Sequence, residues 1–327
     1  MLPKDSEVAG LLALQGGIGA EVQALLPLLD ETLFRPAADI LGRPAKRIRA
    51  RLVEIGFAAG TGGVISDEDR RVCGRCADAL EVLHAGSLVV DDIQDGSLER
   101  RGDSSLHVRY GIPVALNAGN WLYFWPLELV RGMNLDPGRE LRMYRELHST
   151  LLRAHFGQAL DVGCAIDKLP REQVEATCLA AMELKTGALM ALALTLGAIL
   201  AGASEEVVEA LREYGHGLGL GLQMLDDLGH KRLEDLRLRR PSWIWAFASA
   251  HLDAAEYERF VAAVRELPDA GALVGWMDSR SFLALARMEA CDRIERSFGA
   301  LERRLGPDFP VLEEIREIQA KVKHAFH

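Results

Sequence analysis

Signals for β-strand are scarce in this chain: alternating β-branched runs are few, and no Asn-Gly pair sits between two of them as a tight hairpin would require. A surplus of positive charge is also missing. Lys and Arg number 38 against 48 Asp and Glu, a formal net charge of −10, which argues against general nucleic-acid binding because that depends on basic surface meeting phosphate. Net charge does not exclude a local basic pocket for a phosphorylated small molecule. Near Met1, the residues Lys4, Asp5, Glu7 and Gln15 interrupt any apolar core, so no secretory signal is read there. Cysteine is sparse and odd in number (Cys73, Cys76, Cys164, Cys178, Cys291), which suits a reducing compartment and predicts a cytoplasmic protein. Cys73 and Cys76 form a C-x-x-C, but no second pair or histidine stands at zinc-site spacing; two half-buried helix thiols are expected. No fixed-period repeat and no low-complexity linker divides the chain.

What is present is helical spacing. Val22, Leu25, Leu26, Leu28 and Leu29 illustrate it, in a chain rich in Ala, Leu, Glu and Arg. With 327 residues to bury a substantial core, the expectation is one all-α domain over residues 1–327. Breaks are expected near Gly60–Gly63, Asp103–Pro113, Asp136–Gly138, Leu169-Pro170, Gly202–Ser204 and Pro268–Gly271. Ala188 to Ala203 is uncharged and approaches the length of a membrane span. It is rich in Ala and Gly and nothing else resembles a span, so it reads as a central helix buried on all sides, not a transmembrane segment.

Chemistry concentrates between Glu81 and Gly102, EVLHAGSLVVDDIQDGSLERRG. On a helix, Asp91, Asp92 and Asp95 at i, i+1 and i+4 fall on one side of its end. Three clustered carboxylates repel one another unless a cation neutralises them. An all-oxygen cluster suits a hard divalent ion, and Mg²⁺ binds through one or two carboxylates plus substrate phosphates. Arg100 and Arg101 stand close enough to clamp the remaining phosphate oxygens.

The run DDIQDGSLERRG resembles the first aspartate-rich motif of the trans-isoprenyl diphosphate synthases (polyprenyl synthetases): D-D-x-x-D, a short spacer, then R-R-G. Lys46, Arg47 and Arg49 resemble the family's G-K-R-x-R-P, with Ala50 in place of the proline, and His84 matches a family histidine. Asn120 stands where an aspartate is usual. His155 to Asp161 resembles the G-Q-x-x-D segment, and Lys185-Thr186 the K-T motif. Gln223 to His230 resembles F-Q-x-x-D-D-x-x-D, with Leu222 for the phenylalanine and His230 for the last aspartate. Lys231 and Arg240 overlie two family lysines. The resemblance covers residues 40 to 245, motif by motif, and is closest in character to the geranylgeranyl diphosphate synthases.

That resemblance implies an isoprenoid synthase fold, a bundle of long helices around a prenyl-chain cavity, and a homodimer. It implies head-to-tail condensation of isopentenyl diphosphate with an allylic diphosphate. Asp91, Asp92, Asp95, Asp226 and Asp227 would hold Mg²⁺, three ions in the family. Arg100, Lys185, Thr186, Gln223 and Lys231 would surround the allylic diphosphate; Lys46, Arg47, Arg49, His84 and Arg101 would hold isopentenyl diphosphate. Imidazole is a poor Mg²⁺ ligand, so His230 is expected to leave Asp226 most of the second site's metal, with Asp227 in support. Gly86 and Ser87 are small where short-chain members place aromatic floor residues, so the tunnel should stay open there and be closed by Tyr123 and Phe124, at geranylgeranyl length. Two rival readings remain: a terpene cyclase, disfavoured by the near-complete isopentenyl site, and a non-catalytic modulating subunit, disfavoured by the intact first motif.

Overall fold

Long stretches of Ala, Leu, Glu and Arg favour helix both by intrinsic propensity and by side-chain pairing one turn apart. In the computed structural model, every regular element except one short hairpin is helical among the described residues (Leu2, Lys4, 22–45, 47–229, 232–279 and 281–325). The chain gathers into two compact units, Met1–Arg51 with Asp67–Glu140, and Leu52–Ser66 with Leu141–His327.

In the first unit, α1 (Val22–Leu29) passes through a π-helical turn (Asp30–Phe34) into α2 (Arg35–Gly42), and α3 (Ile48–Gly60) begins. The 29-residue α4 (Asp67–Asp95) opens on Asp67, Glu68 and Asp69, acids that complement the positive helix start. A hairpin follows, β1 (Glu99–Arg100) antiparallel to β2 (Asp103–Ser104). It leads to α5 (Leu106–Tyr110) and α6 (Ile112–Arg131). Helices α4 and α6 cross at glycine. A Cβ on Gly86 would lie 2.8 Å from both the Gly119 carbonyl oxygen and the Leu122 Cβ, so only bare backbone permits this approach. Val82, Ala85 and Val89 pack there with Ala115, Leu122 and Trp125, and with Ala37 and Ile40 of α2.

Two expectations about chain length change as a result. The space that Gly86 was expected to leave open is filled by α6. On α6 itself, Leu122 faces inward, and Phe124, two residues on and about 200° around the helix, points outward at 69% exposure. Phe124 therefore closes no tunnel within its unit; Tyr123 is half-buried, and Trp125 turns into the core, stacked on Trp121.

The second unit takes most of α7 (Pro137–Gly163). A continuous helical run follows, made of α8 (Arg171–Met182), a π-helical turn (Glu183–Gly187) and α9 (Ala188–Ala201). That run is long and apolar enough to cross a membrane by length and composition, but 72% of its most apolar window is buried. Ala188 and every residue from Met190 to Leu200 are buried, as the reading of a core helix required. It packs along α10 (Glu205–Asp227), which in turn packs along α15 (Phe282–Leu305). Between them lie α11 (Arg232–Arg237), α12 (Trp243–His251), α13 (Ala254–Arg265) and α14 (Gly271–Ser279), and α16 (Leu312–Ala325) comes last. The expected breaks fall at helix ends, except that Asp103–Pro113 also holds the short helix α5 and the first residues of α6. Breaks at Leu252–Asp253 and after Leu305 were not anticipated, although Asp253 caps α13 by accepting from the Glu256 amide at 2.8 Å, a standard helix-start signal. Cys73 and Cys76 form no disulfide and are fully buried, more so than expected.

Candidate active site

At the end of α4 the three aspartates do not act alike. Asp91 and Asp95, one turn apart, are both partly exposed, whereas Asp92, about 100° around the helix, turns inward and is 1% exposed. Both Nε (2.8 Å) and Nη2 of Arg100 donate to Asp92 Oδ1. Burial works against the Arg100 charge, but the Asp92 hydrogen bond and the charges of Asp92, Asp91 and Asp95 outweigh it and raise its pKa. Asp92 thus pairs with Arg100 through one carboxylate oxygen and faces inward, whereas Asp91 and Asp95, the other expected metal ligands of this motif, keep access to solvent. Beyond Arg100, Arg101 (φ +56°) and Gly102 (φ +79°) form the two-residue turn of the hairpin. Both central residues have φ > 0, the type I′ pattern. An arginine held there costs on the order of 1 kcal/mol, and such strain gathers at functional sites.

Beside the hairpin, three enclosed polar atoms have no hydrogen-bond partner among the described residues: Arg49 Nε, Glu81 Oε1 and His84 Nδ1. Burial lowers the Arg49 pKa to about 10, opposed by Glu81 and assisted by Arg101. Burial also holds His84 well below its usual value, helped by the charges of Arg49, Arg101 and Arg100. Cations outnumber anions here, and the enclosed donors point to an anionic ligand. Arg47 is exposed and pairs with Asp78 at 3.2 Å; Lys46 lies outside the described residues. Ser87 donates to the His84 carbonyl at 2.8 Å. Glu81, one turn before His84, was not singled out from the sequence, though that spacing put it on the same face.

In the second unit, Gly157 lets α7 approach the π-helical turn: a Cβ there would lie 2.9 Å from both Leu184 Cβ and the Lys185 amide nitrogen. One turn later Asp161 accepts from Lys185 Nζ at 2.6 Å, with Arg240 at 3.8 Å. Asp161 gives these cations a shared carboxylate, and the sequence reading did not place it in the site. Thr186 Oγ1 donates to Gln223 Oε1 (2.6 Å), Gln223 Nε2 donates to Asp227 Oδ1 (2.7 Å), and the Trp243 amide donates to Asp227 Oδ2 (2.7 Å). Both oxygens of Asp227 are thereby engaged. Burial raises its pKa well above normal, Asp235 adds to this, and the Trp243 and Gln223 hydrogen bonds oppose it. Asp226 beside it is exposed. Thr186, Gln223 and Asp227 thus form an internal chain that ties the π-helical turn to the start of α12, with Asp227, expected at the metal, turned inward beside the exposed Asp226. His230 and Lys231 lie outside the described residues.

Among the described residues no three carboxylate, His or Cys side chains converge as a metal cage. Mg²⁺ needs no such cage, since one or two carboxylates complete its shell with substrate phosphates and water. Asp91, Asp95 and Asp226, oxygen donors with access to solvent, fit that requirement.

Residues 30–271 match the family model described as polyprenyl synthetase. The chain is 34% identical over 213 residues to the geranylgeranyl diphosphate synthase of Methanosarcina mazei, covering 64% of this chain and 63% of that one. It is 31% identical over 199 residues to the short chain isoprenyl diphosphate synthase of Methanocaldococcus jannaschii, covering 61% and 58%. The chain thus spans about three fifths of the length of these relatives. Among solved structures, geranylgeranyl pyrophosphate synthase from Corynebacterium glutamicum, complexed with isoprenyl diphosphate and magnesium, superposes with a TM-score of 0.73 at 21% identity, over 98% of this chain and 96% of that one. The decaprenyl diphosphate synthase of Rhodobacter capsulatus gives 0.73 at 21% identity, over 99% and 100%. These likenesses show the all-α isoprenoid synthase fold.

Proposed function

The chain belongs to the polyprenyl synthetase family, and from that premise we propose that it is a head-to-tail prenyltransferase. It condenses isopentenyl diphosphate with an allylic diphosphate, and its product is of geranylgeranyl length, as the names of several relatives suggest. The observation that carries the reading is the cation-rich cluster of the first unit, where Arg49 Nε and His84 Nδ1 are enclosed and, among the described residues, without hydrogen-bond partners. A diphosphate supplies the acceptors they lack.

In this reading Arg49, His84 and Arg101 hold isopentenyl diphosphate, with Lys46 and Arg47 at the same basic segment. Arg100 and Lys185 bind the allylic diphosphate, Lys185 exchanging Asp161 for a phosphate oxygen. Asp91, Asp95 and Asp226 would hold Mg²⁺, which, when bound, offsets the charge that builds on the departing diphosphate. The arginines and lysine, fixed before the reaction begins, stabilise that same charge electrostatically. The isopentenyl double bond then attacks the allylic carbon as its bond to diphosphate breaks, and the released diphosphate takes the proton lost from the condensed cation. The aspartates bind metal and do not act as bases. The whole chain is proposed to act as one domain, in the cytoplasm, and as a homodimer. Supporting the homodimer, Ile112, Leu116 and Phe124 leave an apolar strip exposed on α6, and Leu152 with Phe156 does so on α7.

The test is incubation of purified protein with Mg²⁺, labelled isopentenyl diphosphate and dimethylallyl, geranyl or farnesyl diphosphate, with products read by mass spectrometry. Label in a longer prenyl diphosphate is the expected result. Label-free cyclised hydrocarbon would assign a cyclase, and no turnover on any primer would remove the enzyme reading.

A further inference from the structure

We propose that Arg43, which lies outside every motif noted above, is a positioning residue that holds the Arg100–Arg101 hairpin in its ligand-binding shape. The proposal rests on the reading of that hairpin as a diphosphate site.

The hairpin is too short to hold itself. Its ladder contains two residue pairs, and an isolated two-stranded hairpin is marginal in water. Its turn moreover keeps Arg101 at φ +56°, a conformation that glycine or asparagine adopts far more readily. Something outside must supply the missing support. Arg43 is buried, its side chain only 5% exposed, and its guanidinium spends every donor nitrogen on this task. Nη1 donates to the Arg100 carbonyl at 2.9 Å and Nη2 to the Ser104 carbonyl at 2.9 Å, while Nε donates to Asp39 at 2.9 Å. The two carbonyls belong to residues on the two strands that flank the turn. One planar fork therefore pins both sides of it, which a lysine, as a point charge, cannot reproduce.

Asp39 anchors the fork. It is 11% exposed and also accepts from Arg109 and, at 3.0 Å, from the Tyr110 hydroxyl. Arg109 reaches on to Asp103 in β2. Desolvation works against the Asp39 carboxylate, but these donors outweigh it and lower its pKa. The result is a closed network running from α2 through Arg43 to the hairpin and back through α5. Arg100 has a second anchor in Asp92, whereas the turn that presents Arg101 is held from outside through Arg43 on both strands and, at Asp103, through Arg109. Loss of Arg43 should therefore act mainly through Arg101, and so on isopentenyl diphosphate.

The experiment compares Arg43→Lys, Arg43→Met and Arg101→Ala with the unchanged protein. It measures isopentenyl diphosphate binding by calorimetry, the KM for each substrate, and amide exchange across residues 98–105. Losing charge-assisted hydrogen bonds that order a binding residue is expected to raise the KM and Kd for isopentenyl diphosphate about tenfold in Arg43→Lys. The allylic KM should change less than about threefold, and hairpin amides should exchange faster while far-ultraviolet circular dichroism stays the same. A merely structural role would lower thermal stability and kcat and leave the two KM values in proportion, which would overturn the proposal. If Arg43→Met fails to fold, Arg109→Met, at the exposed end of the same network, serves as the second variant and should show a smaller shift in the same direction. Tight binding by Arg101→Ala would instead remove the diphosphate site itself. Weak binding by Arg101→Ala with unchanged binding by both Arg43→Lys and Arg109→Met would overturn the positioning role alone.

Discussion

At the residue scale, each acidic pair divides its labour. Asp92 and Asp227 are turned inward and bonded to protein donors, Asp92 through one oxygen and Asp227 through both, while Asp91 and Asp226 keep access to solvent. Motif spacing shows which residue types are present, but neighbours at i and i+1 sit about 100° apart on a helix, and which one faces the interior depends on packing partners far away in sequence. Trp243 is such a partner, and nothing near Asp227 announces it. Asp91→Asn and Asp226→Asn are therefore expected to lose about a hundredfold or more in Mg²⁺-dependent kcat, with melting temperature unchanged. Asp227→Asn keeps one acceptor and leaves a new buried donor with no partner, a cost of about 1–3 kcal/mol, so its melting temperature should fall. An equal loss of activity without loss of stability would return Asp227 to the metal ligands. His84 offers a second residue-level test. Its folded pKa is held below the usual 6.5, so the unfolded chain takes up a proton that the folded one refuses. Stability is then full above pH 6.5 and falls as pH drops below it, by at most about 1.4 kcal/mol per unit. Urea unfolding between pH 5 and 7.5 should show that slope, and His84→Gln should flatten it.

At the scale of elements, the sequence was most legible where apolar periodicity runs long between glycine and proline breaks, as from α7 to α10. Burial of α9 followed from its composition alone. Less legible were contacts in which a missing side chain matters, because a glycine reads alike as a gap or as a place of close approach. Gly86 was taken for the first and is the second. The distinction predicts opposite outcomes on one helix. Gly86→Val drives a side chain into the Gly119 carbonyl and Leu122, and overpacking of this kind costs about 1–3 kcal/mol. Gly74→Ala, also in α4, meets nothing within 4 Å, and should stabilise by up to about 1 kcal/mol through helix propensity. Chemical denaturation of both variants checks the pair. A Gly86→Val protein as stable as its parent would show that α6 can move away, and would restore the open space near Asp91.

At the scale of the whole molecule, the outward strip on α6 bears on two competing uses of Phe124. As a floor to the prenyl tunnel, it would set product length, and Phe124→Ala would lengthen the product. Its 69% exposure, on the same helical face as Ile112 and Leu116, argues instead for contact with a second copy of the chain. Apolar side chains repeated along one exposed face are a normal mark of association, and a self-complementary patch is what a two-fold dimer requires. Phe124→Ala is therefore expected to leave the product mass spectrum unchanged, whereas Leu116→Glu with Phe124→Glu places two charges on the strip and should convert the proposed dimer to monomer in sedimentation velocity. Neither site contributes to the core of the first unit, so circular dichroism should stay the same in both. A longer product from Phe124→Ala, with the doubly charged variant still dimeric, would return Phe124 to the tunnel and move the dimer contact elsewhere.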